Sequence, residues 1–458
     1  MTRRLAVCAC LLWASTAPLL GQQTPGALSN AGAGRPAPAS AVAQEAEDIE
    51  TLTLEEAIRR ATSFDPEYVA ALGRIDNAAW SRRAAVTAFV LPSVQASASL
   101  TRASSEFFNI GTADLTTQLV QGTLQGSLNL FQGGAKFFEL TRSRAEIDAS
   151  TSNEVQALYQ TAFDTESDYY DVLAGKELRL VAQERVRRAE EQLAIARARV
   201  VSGAAVQTDS LQLLLELTRA QVDMLQEDAA LRVARYALGR RVGAAGPVDA
   251  ATVDTSPAPV LPITELEAIT EALESGPDYQ TAAAEERSSQ ALLNQQRAGY
   301  LPSVDLFGQV QSFDDKFFPT GTVRSQAGFV VTIPVWNGAQ REIQVSQARV
   351  QRDVARTRRE QVERSVRRDV VQAYATYNTA RASAELASRA VVVASENLRV
   401  QESRYRTGAT TILDLITAQV DLADAEAGVV QARYATRLAL AGLEALLGRR
   451  LFPDRIEP

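Results

Sequence analysis

Histidine is missing altogether from the 458 residues. Without an imidazole there is no histidine base, no Ser-His-Asp or Cys-His nucleophile and no His-liganded metal. Cysteine occurs twice, as Cys8 and Cys10, and both lie inside the first apolar run. A disulfide framework and a Cys-rich metal site are therefore excluded. Basic charge is in deficit as well: 47 Lys and Arg stand against 55 Asp and Glu, for a net charge of −8, with the two signs interleaved. That balance leaves no footprint for nucleic acid. No segment after the first apolar run offers the ~18–20 uninterrupted apolar residues of a transmembrane helix, so if the chain spans a membrane, strands must do it. Gly133-Gly134-Ala135-Lys136 lacks the Walker spacing and no G-x-S-x-G occurs. The expectation is a protein that is not an enzyme and holds no cofactor or metal. An exported enzyme working through a carboxylate pair is a rival that residue types alone leave open, and no motif supports it.

Apolar residues make up 46% of the chain, enough for a sizeable core. Residues 1–21 read as a signal peptide, with Arg3 and Arg4 as its basic start and Leu5 to Leu20 as an apolar stretch too short for a comfortable span. A lipid anchor at Cys8 or Cys10 is the competing reading, but Val7 is a poor residue to precede the cysteine. Residues 22–50 are rich in Ala, Gly, Pro, Ser and Gln without a hydrophobic period, and read as a flexible leader.

From Leu52 onward the chain is written twice. Leu91-Pro92-Ser93-Val94 returns as Leu301-Pro302-Ser303-Val304, and Leu130-Phe131-Gln132-Gly133 returns in kind as Val335-Trp336-Asn337-Gly338. Ser202-Gly203-Ala204 with Asp209 returns as Thr407-Gly408-Ala409 with Asp414, and Leu238-Gly239-Arg240-Arg241 as Leu447-Gly448-Arg449-Arg450. So long a period means duplication of a whole structural half. The expected division is a first repeat over 51–242, a linker over 243–262, a second repeat over 263–450 and a tail over 451–458.

Each half reads in one order. A helix starts near Thr53 or Thr264, breaks at Asp65-Pro66 or Gly276-Pro277, and a second helix runs to the Leu-Pro pair. Beyond Pro92 the pattern alternates, with Val94, Ala96, Ala98 and Leu100 on one face and Gln95, Ser97, Ser99 and Thr101 on the other. Alternation of period two is a strand signal. It resumes after a polar turn, predicting β-hairpins over about 93–131 and 303–335 whose strands reach the ~9–11 residues a tilted crossing of hydrocarbon takes. Behind them come long helical hairpins over 134–240 and 338–448. From Ala339 to Thr407 there is no Gly or Pro, and a helix of that length extends roughly 100 Å. The returning helix carries a heptad of Leu415, Leu422, Val429, Thr436 and Leu443, with Ala418, Ala425, Ala432 and Ala439 three residues on. Small residues at such a seam let helix backbones approach closely.

A sheet facing lipid can have no free edge, and four strands cannot close a barrel, so copies of the chain must pool strands. Strands packed in water on the protein's own helices are the alternative. Phe131 and Trp336 at one end of the hairpins, and Phe107, Phe108, Phe313, Phe317 and Phe318 at the other, are placed as two interfacial girdles would be.

The order helix, helix, strand, strand, long helix, shorter helix, written twice behind a signal peptide, resembles the TolC-like outer membrane efflux protein family over about Leu52 to Arg450. The tips add to the resemblance through Val201-Ser202-Gly203-Ala204 with Asp209 and Tyr405-Arg406-Thr407-Gly408-Ala409 with Asp414. The resemblance implies a mainly α fold with membrane β: duplicated antiparallel coiled-coil hairpins and four transmembrane strands per chain. Three copies would form a homotrimer with a twelve-stranded barrel in the outer membrane of a Gram-negative-type bacterium and an α-helical tunnel through the periplasm. It implies an exit duct for efflux or type I secretion, working with outer-membrane lipid, a periplasmic adaptor at Ser202, Gly203, Ala204, Thr407, Gly408 and Ala409, and an inner-membrane transporter. It also implies a periplasmic gate in which Asp414 lines a constriction while Asp209 and Tyr405 latch the hairpins. Two departures stand out: the family's second constriction Asp falls at Thr417 and its latch Arg at Thr410, so something else must hold the closed state. A periplasmic adaptor or coiled-coil scaffold is the alternative, and it should hold one helical hairpin between β-rich modules rather than two equivalent halves.

Overall fold

The structure, a computed structural model, describes residues 49–109, 113–253, 259–315 and 322–452. The signal segment, the leader up to residue 48, Phe317, Phe318 and the end of the tail lie outside the described residues.

Helix α1 (Leu54–Phe64) begins where the Thr53 hydroxyl accepts the Glu56 amide. Asp65 both ends it and caps α2 (Pro66–Val90), its carboxylate accepting the amides of Glu67 at 2.8 Å and Tyr68 at 3.1 Å. Pro66 suits that first helical position because its missing N–H would have had no partner. The second half repeats the device in other residues: a Thr264–Glu267 capping box opens α5 (Glu265–Glu274), and Pro277 opens α6 (Pro277–Ala298).

Between these pairs and the long helices lie the strands β2 (Ser93–Asn109), β3 (Asp114–Gln132), β5 (Ser303–Asp314) and β6 (Val323–Thr332). They form one antiparallel sheet in the order β2-β3-β5-β6, so the two repeats meet at the β3–β5 seam. The register keeps the two faces distinct: Ala96 stands opposite Leu124 and Leu124 opposite Val310, while Ser97 stands opposite Thr123 and Thr123 opposite Gln311.

Register and strand ends correct parts of the aromatic pattern. Phe313 pairs with Gln121, on the face of the glutamines rather than the aliphatics. Beyond a bulge in β2, Phe107 pairs with Thr116 on the aliphatic side and Phe108 with Leu115 on the opposite side, since neighbours along a strand alternate. Phe131, after a bulge in β3, pairs with Val304 on the aliphatic face. Trp336 lies in no strand, because β6 ends at Thr332, two residues before Pro334, which has no N–H for the ladder.

The long helices are α3 (Ala135–Val201) and α7 (Gln340–Arg406), each 67 residues, and they return as α4 (Gln207–Arg241) and α8 (Ile412–Leu447). Their start differs between halves in one respect. Gly133, at φ +57°, is so tightly seated that a Cβ would lie 2.3 Å from the Ala298 carbonyl oxygen, whereas a Cβ on its counterpart Gly338 would meet nothing.

A short parallel pair, β1 (Glu50–Leu52) with β4 (Val248–Ala250), joins the boundary of leader and first repeat to a segment that reads as linker in the sequence. Three residues are too few to show a period, and the pairing partners are about two hundred residues apart. The Tyr169 hydroxyl on α3 donates to the carbonyl of Leu52 at 3.1 Å or of Ala251 at 2.7 Å, stapling this pair to the helices. Burial pushes that hydroxyl's pKa up to about 12. Around it pack Leu52, Ala57, Leu173, Leu231, Leu238 and Tyr434. In the second half Tyr377 donates to Pro259 at 2.5 Å inside a cluster with Val366, Val370, Leu440 and Leu443.

The Arg-Arg ends of the two repeats converge on one stretch of α3. Arg241 meets Asp168 at 2.8 Å and Asp164 at 3.4 Å, and Arg450 meets Glu166 and Glu444 at 2.7 Å each. The second set is buried, with Arg450 at 6% side-chain exposure and both glutamates at 0%.

Candidate functional site

At the end of the helices farthest from the sheet, each hairpin turns through five residues. Gly203 at φ +70° and Gly408 at φ +75° make the turns, a backbone region that costs a residue with a Cβ about 1 kcal/mol or more. Ser202, Gly203, Ala204, Thr407, Gly408 and Ala409 are all exposed. Beneath them the four helices close on Leu193, Ala196, Leu213, Leu398, Tyr405, Ile412, Leu415, Ala418 and Leu422.

Asp209 and Asp414 occupy the same third position of α4 and α8, yet their surroundings differ. Asp414 is drawn into the start of its own helix: its carboxylate accepts from the Thr411 hydroxyl at 2.7 Å, the Thr411 amide at 3.1 Å and the Thr410 hydroxyl at 2.8 Å. The Thr411 hydroxyl answers by accepting the Asp414 amide. These bonds, that of the Thr411 hydroxyl foremost, hold the exposed Asp414 carboxyl below its ordinary value and keep it charged. Thr417, one turn on, is exposed and donates to the Leu413 carbonyl of its own helix.

The cap position before helix α4 is Val206, whose apolar side chain makes no cap hydrogen bond. Asp209 therefore has no capping box to join and lies by the hydroxyl of Tyr405, across on α7. Tyr405 is 3% exposed. Burial first, and the nearby Asp209 charge second, raise its pKa. The hydroxyl closes no hydrogen bond of good geometry with that carboxylate, so the contact is electrostatic.

What binds Tyr405 firmly is Arg199, a residue that does not stand out in the sequence. Its guanidinium stacks over the Tyr405 ring, 4.7 Å from the centroid, and one Nη donates to the Tyr405 carbonyl. The other Nη reaches the carbonyl of Ala204 in its own turn at 3.2 Å. Arg404, 205 residues on, makes the corresponding bond to Ala409 at 3.3 Å. The signal was legible as an Arg four residues before each tip glycine; only the fold adds that Arg199 also crosses to the other hairpin.

Farther up the helices, α3 is tied to the second hairpin by polar contacts along its length. Gln192 donates to Glu402 at 3.0 Å, Arg188 meets Glu426 at 2.9 Å, and Glu177 accepts from Arg433 at 2.8 Å and from the Tyr434 hydroxyl at 2.7 Å. The two hairpins of one chain are thus linked at intervals, with Arg199 nearest the tip.

A doubled strand-hairpin and helical-hairpin design of this kind defines a class. The family model for the outer membrane efflux protein matches residues 57–244 and 268–449. The chain is 23% identical over 344 residues to the outer membrane efflux protein BepC of Brucella suis, covering 74% of this chain and 75% of that one. It is 28% identical over 334 residues to the protein CyaE of Bordetella pertussis, covering 70% and 69%. In fold it is similar to the outer membrane protein VceC of Vibrio cholerae, with a TM-score of 0.73 at 17% identity over 87% of this chain and 97% of that one. The chain belongs to the outer membrane efflux protein family. Its place is the outer membrane, and its class is one of channels rather than enzymes.

Proposed function

We propose that the chain is one subunit of a homotrimeric exit duct, which passes cargo delivered by an inner-membrane transporter through the periplasm and the outer membrane. What carries the reading is the four-stranded sheet. Its outer strands β2 and β6 each have one unpaired edge, and Val94, Leu124, Leu306, Phe329 and Val331 on its aliphatic face are exposed in the single subunit. Among the described residues no helix is long and apolar enough to cross a membrane. An aliphatic face beside open edges is stable in lipid only when the edges close on further copies, and three copies supply twelve strands. Phe107, Phe131 and Trp336 then lie near the membrane interfaces, and residues 1–21 direct export.

The opposite end is the gate. Asp414 contributes one carboxylate per subunit to a three-fold constriction, with a single such ring because Thr417 carries no charge. The missing latch arginine, at Thr410, is made good by Arg199, which ties the first hairpin to Tyr405 of the second beside Asp209. The turns at Ser202–Ala204 and Thr407–Ala409 meet a periplasmic adaptor.

The experiment is extraction from membranes in detergent followed by electrophoresis with and without heating. A heat-labile band at three times the chain mass is expected; a water-soluble monomer would sink the reading.

A further inference from the structure

The glutamine face of the sheet holds a pattern that the channel reading leaves unused. Gln95 stands opposite Gln125, Gln125 opposite Gln309, and Gln309 opposite Gln326, so one amide from each strand falls in a single row across the subunit. Side chains directly opposite lie about 4.5–5.5 Å apart, and the Gln326 Nε2 donates to the Gln309 Oε1 at 2.8 Å. Beside the row, Phe307 pairs with Gly328 and leans its ring over it, its edge atoms 3.3 Å from where a Cβ would sit. Along β5 the same face reads Phe307, Gln309, Gln311, Phe313, a track roughly 20 Å long at the rise of a strand. Among the paired positions of this face Asp305 and Arg324 are the ionisable ones, and Asp305 accepts from Asn129 at 2.7 Å.

Resting on the channel reading, in which this face lines the lumen, we infer that the β5 track and the glutamine row form a contact surface for neutral, hydroxyl-rich cargo of the glycan class. Each amide offers two donor hydrogens and a carbonyl with two lone pairs, so a glutamine bonded to its neighbour still has a donor and an acceptor to present. A sugar hydroxyl needs both. The aliphatic face of a sugar ring packs on an aromatic one, which Phe307 offers beside Gly328, where no side chain stands in the way. Apart from Arg324, opposite Gln311, the paired positions along this track offer a charged solute no counter-charge, and desolvating it against neutral amides is unfavourable. Because barrel strands are tilted, each row climbs obliquely, and three subunits present three such tracks.

The test is current through the protein in planar bilayers, with maltohexaose added on the side of the strand turns so that it reaches the barrel before the tips. The wild type should show transient partial reductions of current. Phe307→Ala should shorten them about fivefold, as loss of an aromatic contact does. Gln309→Leu, which leaves the ring in place and keeps a strand-compatible side chain, should shorten them comparably. Polyethylene glycol of similar size should lower the current without resolved events. Equal dwell times in wild type and Gln309→Leu, events with polyethylene glycol like those with sugar, or a conducting wild type without any events would each overturn the inference. Absence of conductance altogether would instead strike the channel reading.

Discussion

Replacing Arg199 by leucine should open the duct. The substitution removes two links between the hairpins, the guanidinium stacked on Tyr405 and the bond to the Tyr405 carbonyl. A cation over an aromatic face contributes about 0.5–2 kcal/mol, and a hydrogen bond from a charged donor about 1.5–3 kcal/mol. Because the two share one side chain and the tip is partly solvated, about 2–3 kcal/mol is the expected loss to the closed state. At 1.4 kcal/mol per factor of ten, the ratio of open to closed should rise roughly 30–150-fold. Single-channel recording of the fraction of time spent at high conductance reads this ratio directly. The duplication supplies an internal control in Arg404→Leu, which removes the same bond within its own turn, while among the described residues no aromatic ring is stacked under Arg404 as Tyr405 is under Arg199. Wild-type open times in Arg199→Leu, or an equal rise in Arg404→Leu, would refute the reasoning.

Two further expectations follow from charge. Asp414→Asn should reduce cation preference and block by divalent ions, measured as reversal potential under a salt gradient, while the wild-type preference should hold as pH falls through the mildly acidic range. The sign follows from the bonds of Thr411 and Thr410: they hold the folded pKa below the ordinary 3.8, so the charge, and the stability its cap contributes, are present above that value and lost only as pH falls through the lower one. At the far end of the second repeat, Arg450→Met strips the cation from two fully buried glutamates and should cost about 3–5 kcal/mol. The triple variant that adds Glu166→Gln and Glu444→Gln should recover most of the loss, because neutral amides no longer need a counter-ion. Melting of the helical circular dichroism signal in detergent measures both, and an Arg450→Met protein melting with the wild type would remove the triad from any part in stability.

Much of the architecture was written locally. The Asp65-Pro66 break, the strand alternation from Val94, the unbroken run behind Ala339 and the tip glycines are all decided within a turn or two of chain. Helix periodicity, strand periodicity and capping are properties of neighbours, and the duplication made each legible twice. Family membership came within reach for the same reason, since the order of such elements repeats across the whole length.

The rest depended on residues far apart in the chain. Nothing near Arg199 says that it will lie on Tyr405, two hundred residues later, and nothing near Leu52 names Val248–Ala250 as its partner strand. Asp209 and Asp414 hold equivalent places in the repeat, but whether a carboxylate closes on its own helix or faces another is set by the cap residue and by the helix packed opposite. Phe313 belonged to an aromatic cluster in the sequence and to the glutamine face in the sheet, because a register is a relation between strands. The row from Gln95 to Gln326 exists only through that relation: four amides scattered over more than two hundred residues become neighbours once three hydrogen-bonded ladders align them.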